Sequence, residues 1–197
     1  MSLIFSTVSD DLGKLSFLRK FACGNWKSYD VTIALSSGLT FCFVLQELEI
    51  RNIIATVREE LAVLLSGIPS TIQSLYLQSL AITDADLVDL CRRLGCLTNL
   101  RLRRLSRVSS RGACQSLSKL RRLEVLRCSV PVNAMVLRFL TNHSVFRELK
   151  KFNVVVTTGN PDYYTDMLSQ HFVGVHCSRH YTNKRWCYIE VEGRKLR

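Results

Sequence analysis

The feature that most constrains this chain is an apolar pattern that recurs every 23 to 29 residues. The clearest copy begins at Ile72 and has apolar residues at its first, fourth, sixth and ninth positions. Five other copies share these four positions, although the last has only Thr157 at its ninth. Six copies in succession indicate an internal repeat. The copies begin at Leu18, Leu45, Ile72, Leu97, Leu120 and Leu149, with spacings of 27, 27, 25, 23 and 29 residues.

Each copy has the pattern of a short strand followed by a helix. The fourth and sixth residues alternate as in a strand and would both point inward, and the first and ninth would close the unit on either side. Between two strands, the segment from Thr83 to Leu94 has the apolar spacing of a helix that Thr83 would cap. Similar helices are predicted within 57–65, 111–120 and 133–142.

Strands and helices that alternate at this period are typical of leucine-rich repeats, which have ~20–29 residues. The pattern predicts an α/β fold, a right-handed horseshoe arc of about six repeats with parallel strands inside and helices outside. The repeats would occupy residues 18–159, after an N-terminal segment at 1–17. Residues 160–197 would form a last repeat or a capping segment. We expect a helix there from about Asp162, followed by a strand or hairpin.

The third, fifth and seventh residues of each unit would lie on the concave face of the arc. Neighbouring strands lie ~4.8 Å apart, so these residues would form rows across the strands. An acidic and a basic zone would flank Tyr76, and Tyr and Arg are the residues favoured at binding hot spots. The residues predicted to bind a partner are Glu47, Glu49, Tyr76, Gln78, Asn99, Arg101, Arg103, Arg122, Glu124, Lys151 and Asn153.

The net charge of +11 is concentrated in residues 92–127, which contain eleven Lys and Arg against one acidic residue, Glu124. Such a segment favours an acidic partner, although a solvated surface gives the same pattern. Nucleic-acid binding is therefore one alternative function. Against it, the arginines would be divided among helix ends, strands and loops, and the sequence has no signature of a nucleic-acid-binding fold.

The sequence offers little support for catalysis or for a cofactor. It has no glycine-rich phosphate loop and no paired carboxylates in a recognisable setting, so we predict neither an enzyme nor a cofactor. None of the eight cysteines has the C-x-x-C spacing, and most are expected to be reduced and buried. A zinc site is conceivable but matches no standard spacing, and its ligands would be His176, Cys177, His180 and Cys187. No apolar run approaches the ~20 residues of a membrane span, so we expect a cytoplasmic or nuclear location and no membrane partner.

The segment from Ile82 to Leu87, Ile-Thr-Asp-Ala-Asp-Leu, resembles the step after the strand in cysteine-containing leucine-rich repeats. Cys128 falls at a ninth position, where that subclass prefers Cys. These repeats are typical of F-box substrate receptors and of related ribonuclease-inhibitor-like proteins. The resemblance implies a substrate-recognition role in a ubiquitin-ligase complex, although no F-box is recognisable, since only seventeen residues precede Leu18.

We therefore expect a non-catalytic module that recognises another protein. A structural scaffold for assembly, without a link to ubiquitin, is a further alternative. Repeats of this type serve many partners, so the sequence supports the fold more strongly than the function.

Overall fold

The computed structural model describes residues 17–27, 29–53, 58–132, 137–138, 141, 148–156, 161–179 and 187–193. In these ranges, strands and helices alternate along the chain. The strands are β1 (Lys20–Gly24), β2 (Glu47–Arg51), β3 (Ser74–Gln78), β4 (Asn99–Arg103), β5 (Val125–Val132), β6 (Lys151–Val156), β7 (Val175–Arg179) and β8 (Cys187–Glu192). The helices are α1 (Tyr29–Thr40), α2 (Arg58–Ser66), α3 (Asp84–Arg93), α4 (Ser110–Leu117) and α5 (Pro161–Ser169).

All eight strands form one sheet in the order β1-β2-β3-β4-β5-β6-β8-β7. The first six strands pair in sequence order, and every pairing among them is parallel. Parallel neighbours need a crossover connection, and helices lie in the connections between β1 and β5. The predicted α/β fold of alternating strand–helix units is thus confirmed.

The fourth and sixth residues of the units form the buried side of the sheet. Leu48, Leu75 and Leu100 are in register on β2, β3 and β4, and each is at most 2% exposed. They belong to one continuous hydrophobic core that also contains residues of the helices, such as Leu64 and Leu90. Each unit covers the apolar side of the next, which is why a single unit of this pattern would not fold alone.

The predicted register of the fifth unit is wrong by three residues. Leu100 pairs with Leu126, not with Leu123, and Leu102 pairs with Cys128. The fifth unit therefore begins at Leu123, and the spacings along the chain become 27, 27, 25, 26 and 26 residues. Leu123 is still fully buried, as the first residue of its unit.

The eighth residue of each of the first four units turns the chain out of its strand. Asn25, Asn52, Ser79 and Arg104 all have left-handed backbones, with φ between 51° and 66°. Asn adopts this region more readily than most residues, whereas it is less common for Ser and Arg. The N–H groups of Asn25, Asn52 and Ser79 each donate to the next strand's carbonyl at 2.9–3.1 Å, which repeats the turn from unit to unit.

The predicted helix starting after Thr83 is confirmed. The Thr83 hydroxyl accepts from the backbone N–H of Asp86, and the Asp86 carboxylate accepts from the backbone N–H of Thr83, so the two form a capping box. The next helix begins one unit later, where Ser109 caps α4 and donates through its N–H to Asp84 at 2.7 Å. The Asp84 carboxylate lies so close to Gly112 that a Cβ there would approach it to 2.0 Å.

The other predicted helices agree with the structure where it describes them. Helices α2 and α4 lie within or close to the predicted ranges 57–65 and 111–120. Of the predicted helix 133–142, Leu137, Arg138 and Thr141 are helical, and the rest lies outside the described residues. The longest helix, α1, was not predicted.

The C-terminal segment reverses the strand direction. Strand β8 pairs antiparallel with both β6 and β7, so that the hairpin covers the edge of the parallel array. Helix α5 precedes it, and Phe172 packs edge-on against Phe152 of β6 with the ring centroids 5.1 Å apart. A helix followed by a strand or hairpin was predicted here, and the structure has the helix and the hairpin. No helix in the described ranges is long and apolar enough to span a membrane.

Candidate partner-binding face

The side of the sheet opposite the buried leucines carries the third, fifth and seventh residues of the units, and we call it the open face. The fifth residues of neighbouring units form one row across the strands. On β2 to β6 this row consists of Glu49, Tyr76, Arg101, Arg127 and Asn153, which are in register. Most side chains of this face on β2 and β4 are exposed. The complete set on β1 to β6 is Lys20, Ala22, Gly24, Glu47, Glu49, Arg51, Ser74, Tyr76, Gln78, Asn99, Arg101, Arg103, Val125, Arg127, Ser129, Lys151, Asn153 and Val155.

The predicted acidic zone on β2 is neutralised by neighbouring cations. The Glu47 carboxylate accepts from the Lys20 ammonium at 2.7 Å, across the β1–β2 pair. Glu49 forms an ion pair with Arg51 on the same strand. Lys20, Glu47 and Glu49 line a hollow of about 330 Å³ over β1 to β3, which we call the paired hollow. It is lined by Lys20, Phe21, Ala22, Glu47, Leu48, Glu49, Ser74 and Tyr76.

Tyr76 is largely covered, with 9% of its surface exposed. The guanidinium groups of Arg51 and Arg101 lie 5.1 and 4.5 Å from its ring centroid, within the range of cation–π attraction. Its hydroxyl donates to the Gln78 side-chain carbonyl. The aromatic side chain predicted as a hot spot therefore fixes its arginine neighbours, and little of its own surface is free for a partner.

Three arginines lie close together on β4 and β5. Arg101 and Arg103 are two residues apart on β4, and Arg127 lies in register beside Arg101 on β5. They line a second hollow of about 330 Å³, which we call the basic hollow. All three side chains are exposed, and the guanidinium groups of Arg103 and Arg127 make no hydrogen bond or ion pair with any described residue. The basic hollow is lined by Arg101, Leu102, Arg103, Arg127, Cys128, Ser129, Asn153 and Val155.

Two residues predicted for this face do not lie on it. Arg122 lies in the turn before β5, and Glu124 lies one residue before the strand and pairs with Lys150 at 2.8 Å. Leu126, which the same register placed outward, is completely buried. The three-residue shift is the physical reason, because it exchanges the inward and outward positions of the strand. Arg127, which the sequence reasoning missed, lies beside Arg101 in place of Glu124.

The C-terminal hairpin supplies carboxylates to the far end of the open face. The Lys151 ammonium donates to the Glu192 carboxylate, and the Asn153 amide donates to Glu190 at 3.1 Å. Both acids lie on β8, directly across from their partners on β6. No sequence pattern indicated these pairs, because the predicted hairpin had no predicted register.

The arginines at the end of α3 are not on the open face. The Arg93 guanidinium donates to the carbonyls of Leu65 and Ile68, at 2.5 and 3.2 Å, and so covers the carboxyl end of α2. Arg92 pairs with Asp89 at 2.9 Å. The arginines of 92–127 thus divide among different surfaces, as their positions in the sequence predict.

The cysteines that the structure describes are suited to packing. Seven of them form no disulfide with any described residue, and Cys42, Cys91 and Cys128 are buried. Desolvation by burial raises the pKa of the Cys23 and Cys91 thiols to about 12, so both stay protonated and poorly nucleophilic at neutral pH. Cys128, expected at a ninth position, is the sixth residue of its unit and packs inward from β5.

The conceivable zinc ligands lie only partly within the described residues. His176 and Cys177 are adjacent on β7, whereas His180 and the Cys187 side chain lie outside the described part. Where side chains are described, no three His, Cys, Asp or Glu residues gather as they would around a metal ion.

No model of a known protein family matches this chain, and no curated protein is detectably similar to it in sequence. The topology alone therefore defines its class. It is an α/β protein built from repeating strand–helix units that share one mostly parallel sheet.

Proposed function

We propose that this chain is a leucine-rich-repeat-type solenoid arc that recognises another protein through its open face and catalyses no reaction. The observation that carries the proposal is the row of Glu49, Tyr76, Arg101 and Arg127 on β2 to β5, which lie side by side opposite a continuous hydrophobic core. Repeat proteins of this kind commonly use such extended faces for binding. Arginine is also among the residues most enriched at binding hot spots.

The proposed link to a ubiquitin ligase has less support than the sequence alone gave it. Two features carried the resemblance to cysteine-containing repeats, and the position of Cys128 is no longer one of them. The Ile82–Leu87 segment remains, and within it Thr83 and Asp86 form the capping box of α3. Copurification with subunits of a ubiquitin ligase tests this part, and their absence would leave the alternative of an assembly scaffold.

Site-specific photo-cross-linking tests which surface a partner contacts. A photoreactive residue replaces Asn99, which is exposed on the open face, or Gln115, which is exposed on α4 as the matched control. We expect a discrete protein adduct from position 99 in cells and none from position 115. The adduct is then identified by mass spectrometry, and its binding is repeated with both purified proteins.

Three outcomes would contradict the proposal. They are no adduct from position 99, equal adducts from both positions, and adducts with nucleic acid in place of protein. The last outcome would favour the alternative function, which also predicts a steep loss of affinity as the salt concentration rises.

A further inference from the structure

The basic hollow differs from the rest of the open face because its cations pair with no acidic residue in the part of the chain that the structure describes. On β1 and β2, Lys20 pairs with Glu47. At the far end, Lys151 pairs with Glu192 on β8. Between them, Arg101 lies in register with Arg127, and Arg103 has no described partner.

Like charges directly across a strand pair destabilise a sheet. At both ends of the open face, cations lie beside carboxylates: Lys20 beside Glu47 of β2, and Lys151 of β6 beside Glu192. A pair of like charges lies between them, where Arg101 and Arg127 are exposed and directly opposite each other on neighbouring strands. This arrangement does not serve the stability of the sheet, and an anionic ligand would relieve its repulsion.

Given the proposed function, on which this step rests, we infer that the basic hollow binds an acidic segment of the partner protein through two or more of its carboxylates. Neighbouring strands lie ~4.8 Å apart, and residues two apart on one strand are separated by roughly 6.6 Å. An extended peptide repeats its side chains on one face at that same distance of roughly 6.6 Å. Carboxylates at alternate positions can therefore reach Arg103 and the Arg101–Arg127 pair together.

The two kinds of arginine in the hollow have different roles in this binding. Arg101 is held over the Tyr76 ring, so its guanidinium loses less freedom when a ligand binds. Arg103 and Arg127 make no described side-chain bonds, so their donors are available to form the two parallel hydrogen bonds that arginine makes with carboxylates.

The charge around the hollow favours a protein segment over a nucleic-acid strand. In double-stranded DNA each strand carries a phosphate about every 3.4 Å along the helix axis, so a duplex needs a continuous track of cations. On the open face Arg101, Arg103 and Arg127 are flanked by the Glu49–Arg51 ion pair on one side and by the Asn153–Glu190 hydrogen bond on the other. Arg93, which could extend the track, instead covers the end of α2.

Fluorescence anisotropy with short synthetic peptides tests the inference on the full chain. One labelled peptide has glutamates at alternate positions, and its matched control has glutamines at the same positions. The variants are Arg103→Gln and Arg127→Gln. The control is Arg111→Gln, which removes the same charge from an exposed site on α4. Thermal unfolding is measured for each variant, so that a folding defect is recognised.

We expect the glutamate peptide to bind at least tenfold more tightly than the glutamine peptide. Arg103→Gln and Arg127→Gln should each weaken its binding about tenfold, and Arg111→Gln should leave it unchanged. Equal binding of both peptides, or an equal effect of Arg111→Gln, would overturn the inference. Tighter binding of a single-stranded RNA of equal charge would overturn it in favour of nucleic acid.

The photo-cross-linking experiment separates this inference from the proposed function. If the double variant Arg103→Gln, Arg127→Gln keeps its protein adduct from position 99 at full yield, the open face binds a partner without using the basic hollow. The proposed function would then stand, and the inference of an acidic segment would fail.

Discussion

The paired hollow and the basic hollow have the same size, but the charges of the first form ion pairs and most of those of the second do not within the described part of the chain. Each has a volume of about 330 Å³ and lies over strands whose leucines are buried below. Lys20, Glu47 and Glu49 in the paired hollow all belong to ion pairs, whereas Arg103 and Arg127 in the basic hollow belong to none with a described residue. Tyr76 lies between the two and contacts an arginine of each side.

This comparison distinguishes the buried packing that the fold requires from the surface charges that can vary on it. Leu48 beneath the paired hollow and Leu100 beneath the basic hollow are both only 2% exposed, so similar packing lies under either arrangement of charge. Charges that are paired contribute modestly to stability, while unpaired like charges oppose it. The proposed acidic ligand would account for the arginines of the basic hollow that pair with no described residue. Substitutions in each hollow measure how its charges affect the free energy of unfolding.

The largest expected effect is on the shared core. Leu48→Ala beneath the paired hollow and Leu100→Ala beneath the basic hollow should each lower the free energy of unfolding by about 2–5 kcal/mol, because each removes a side chain that is only 2% exposed. Urea unfolding measures both. Asn99→Ala, one residue from Leu100 but exposed, is the control and should change it little. A loss below about 1 kcal/mol for either leucine would contradict the assigned packing.

A smaller effect is expected at the boundary between the hollows. Tyr76→Leu removes the ring that both Arg51 and Arg101 contact, and each exposed cation–π pair contributes about 0.5–1 kcal/mol. We therefore expect a loss of about 1–2 kcal/mol by the same urea unfolding. Tyr76→Phe keeps the ring and should cost less. If the two substitutions cost the same, the stacked arginines contribute nothing and the hydroxyl bond to Gln78 accounts for the loss.

A still smaller effect is expected within the paired hollow. Glu49→Gln removes one partner of the ion pair with Arg51 at little change in shape. Arg51 is nearly half exposed, so the pair is screened by solvent and its loss should cost only about 0.5 kcal/mol. The difference should shrink as salt is added. A difference that is insensitive to salt would mean that Glu49 acts through packing and not through charge.

The smallest effect, and one of opposite sign, is expected within the basic hollow. Arg127→Gln removes one member of the like-charged pair with Arg101, so the free energy of unfolding should stay unchanged or rise by up to about 0.5 kcal/mol. Thermal unfolding at low salt, where repulsion is least screened, checks this most sensitively. A clear destabilisation would show that Arg127 has an acidic neighbour and that the two hollows are alike.

The sequence predicted which residues of the first four strands lie side by side, because each strand has apolar residues at fixed positions between turns. It failed for the fifth, where Leu120, Leu123 and Leu126 recur every three residues and the apolar pattern fits two registers. The uneven spacings of 23 and 29 residues were the available signal, since a start at Leu123 makes both of them 26.

The charges of the open face were harder to predict than its strands. Burial is encoded in the periodicity of apolar residues, whereas an ion pair depends on which polar residues face each other across two strands. The wrong register of the fifth unit placed Glu124 beside Arg101, where the structure has Arg127. It therefore predicted a pair of opposite charges in place of a pair of like charges. The positions of Glu190 and Glu192 beside β6 follow from the register of an antiparallel strand pair, and no local sequence pattern specifies that register.

Disulfide trapping between β4 and β5 measures the register on which the basic hollow depends. Cysteines introduced in place of Arg101 and Arg127 would lie on directly neighbouring strands at ~4.8 Å, within the range that a disulfide spans. We predict that mild oxidation links positions 101 and 127 and fails to link 101 with a cysteine in place of Glu124, as read by peptide mapping. A preferred link between 101 and 124 would place an acid beside Arg101 and contradict the like-charged pair that distinguishes the basic hollow.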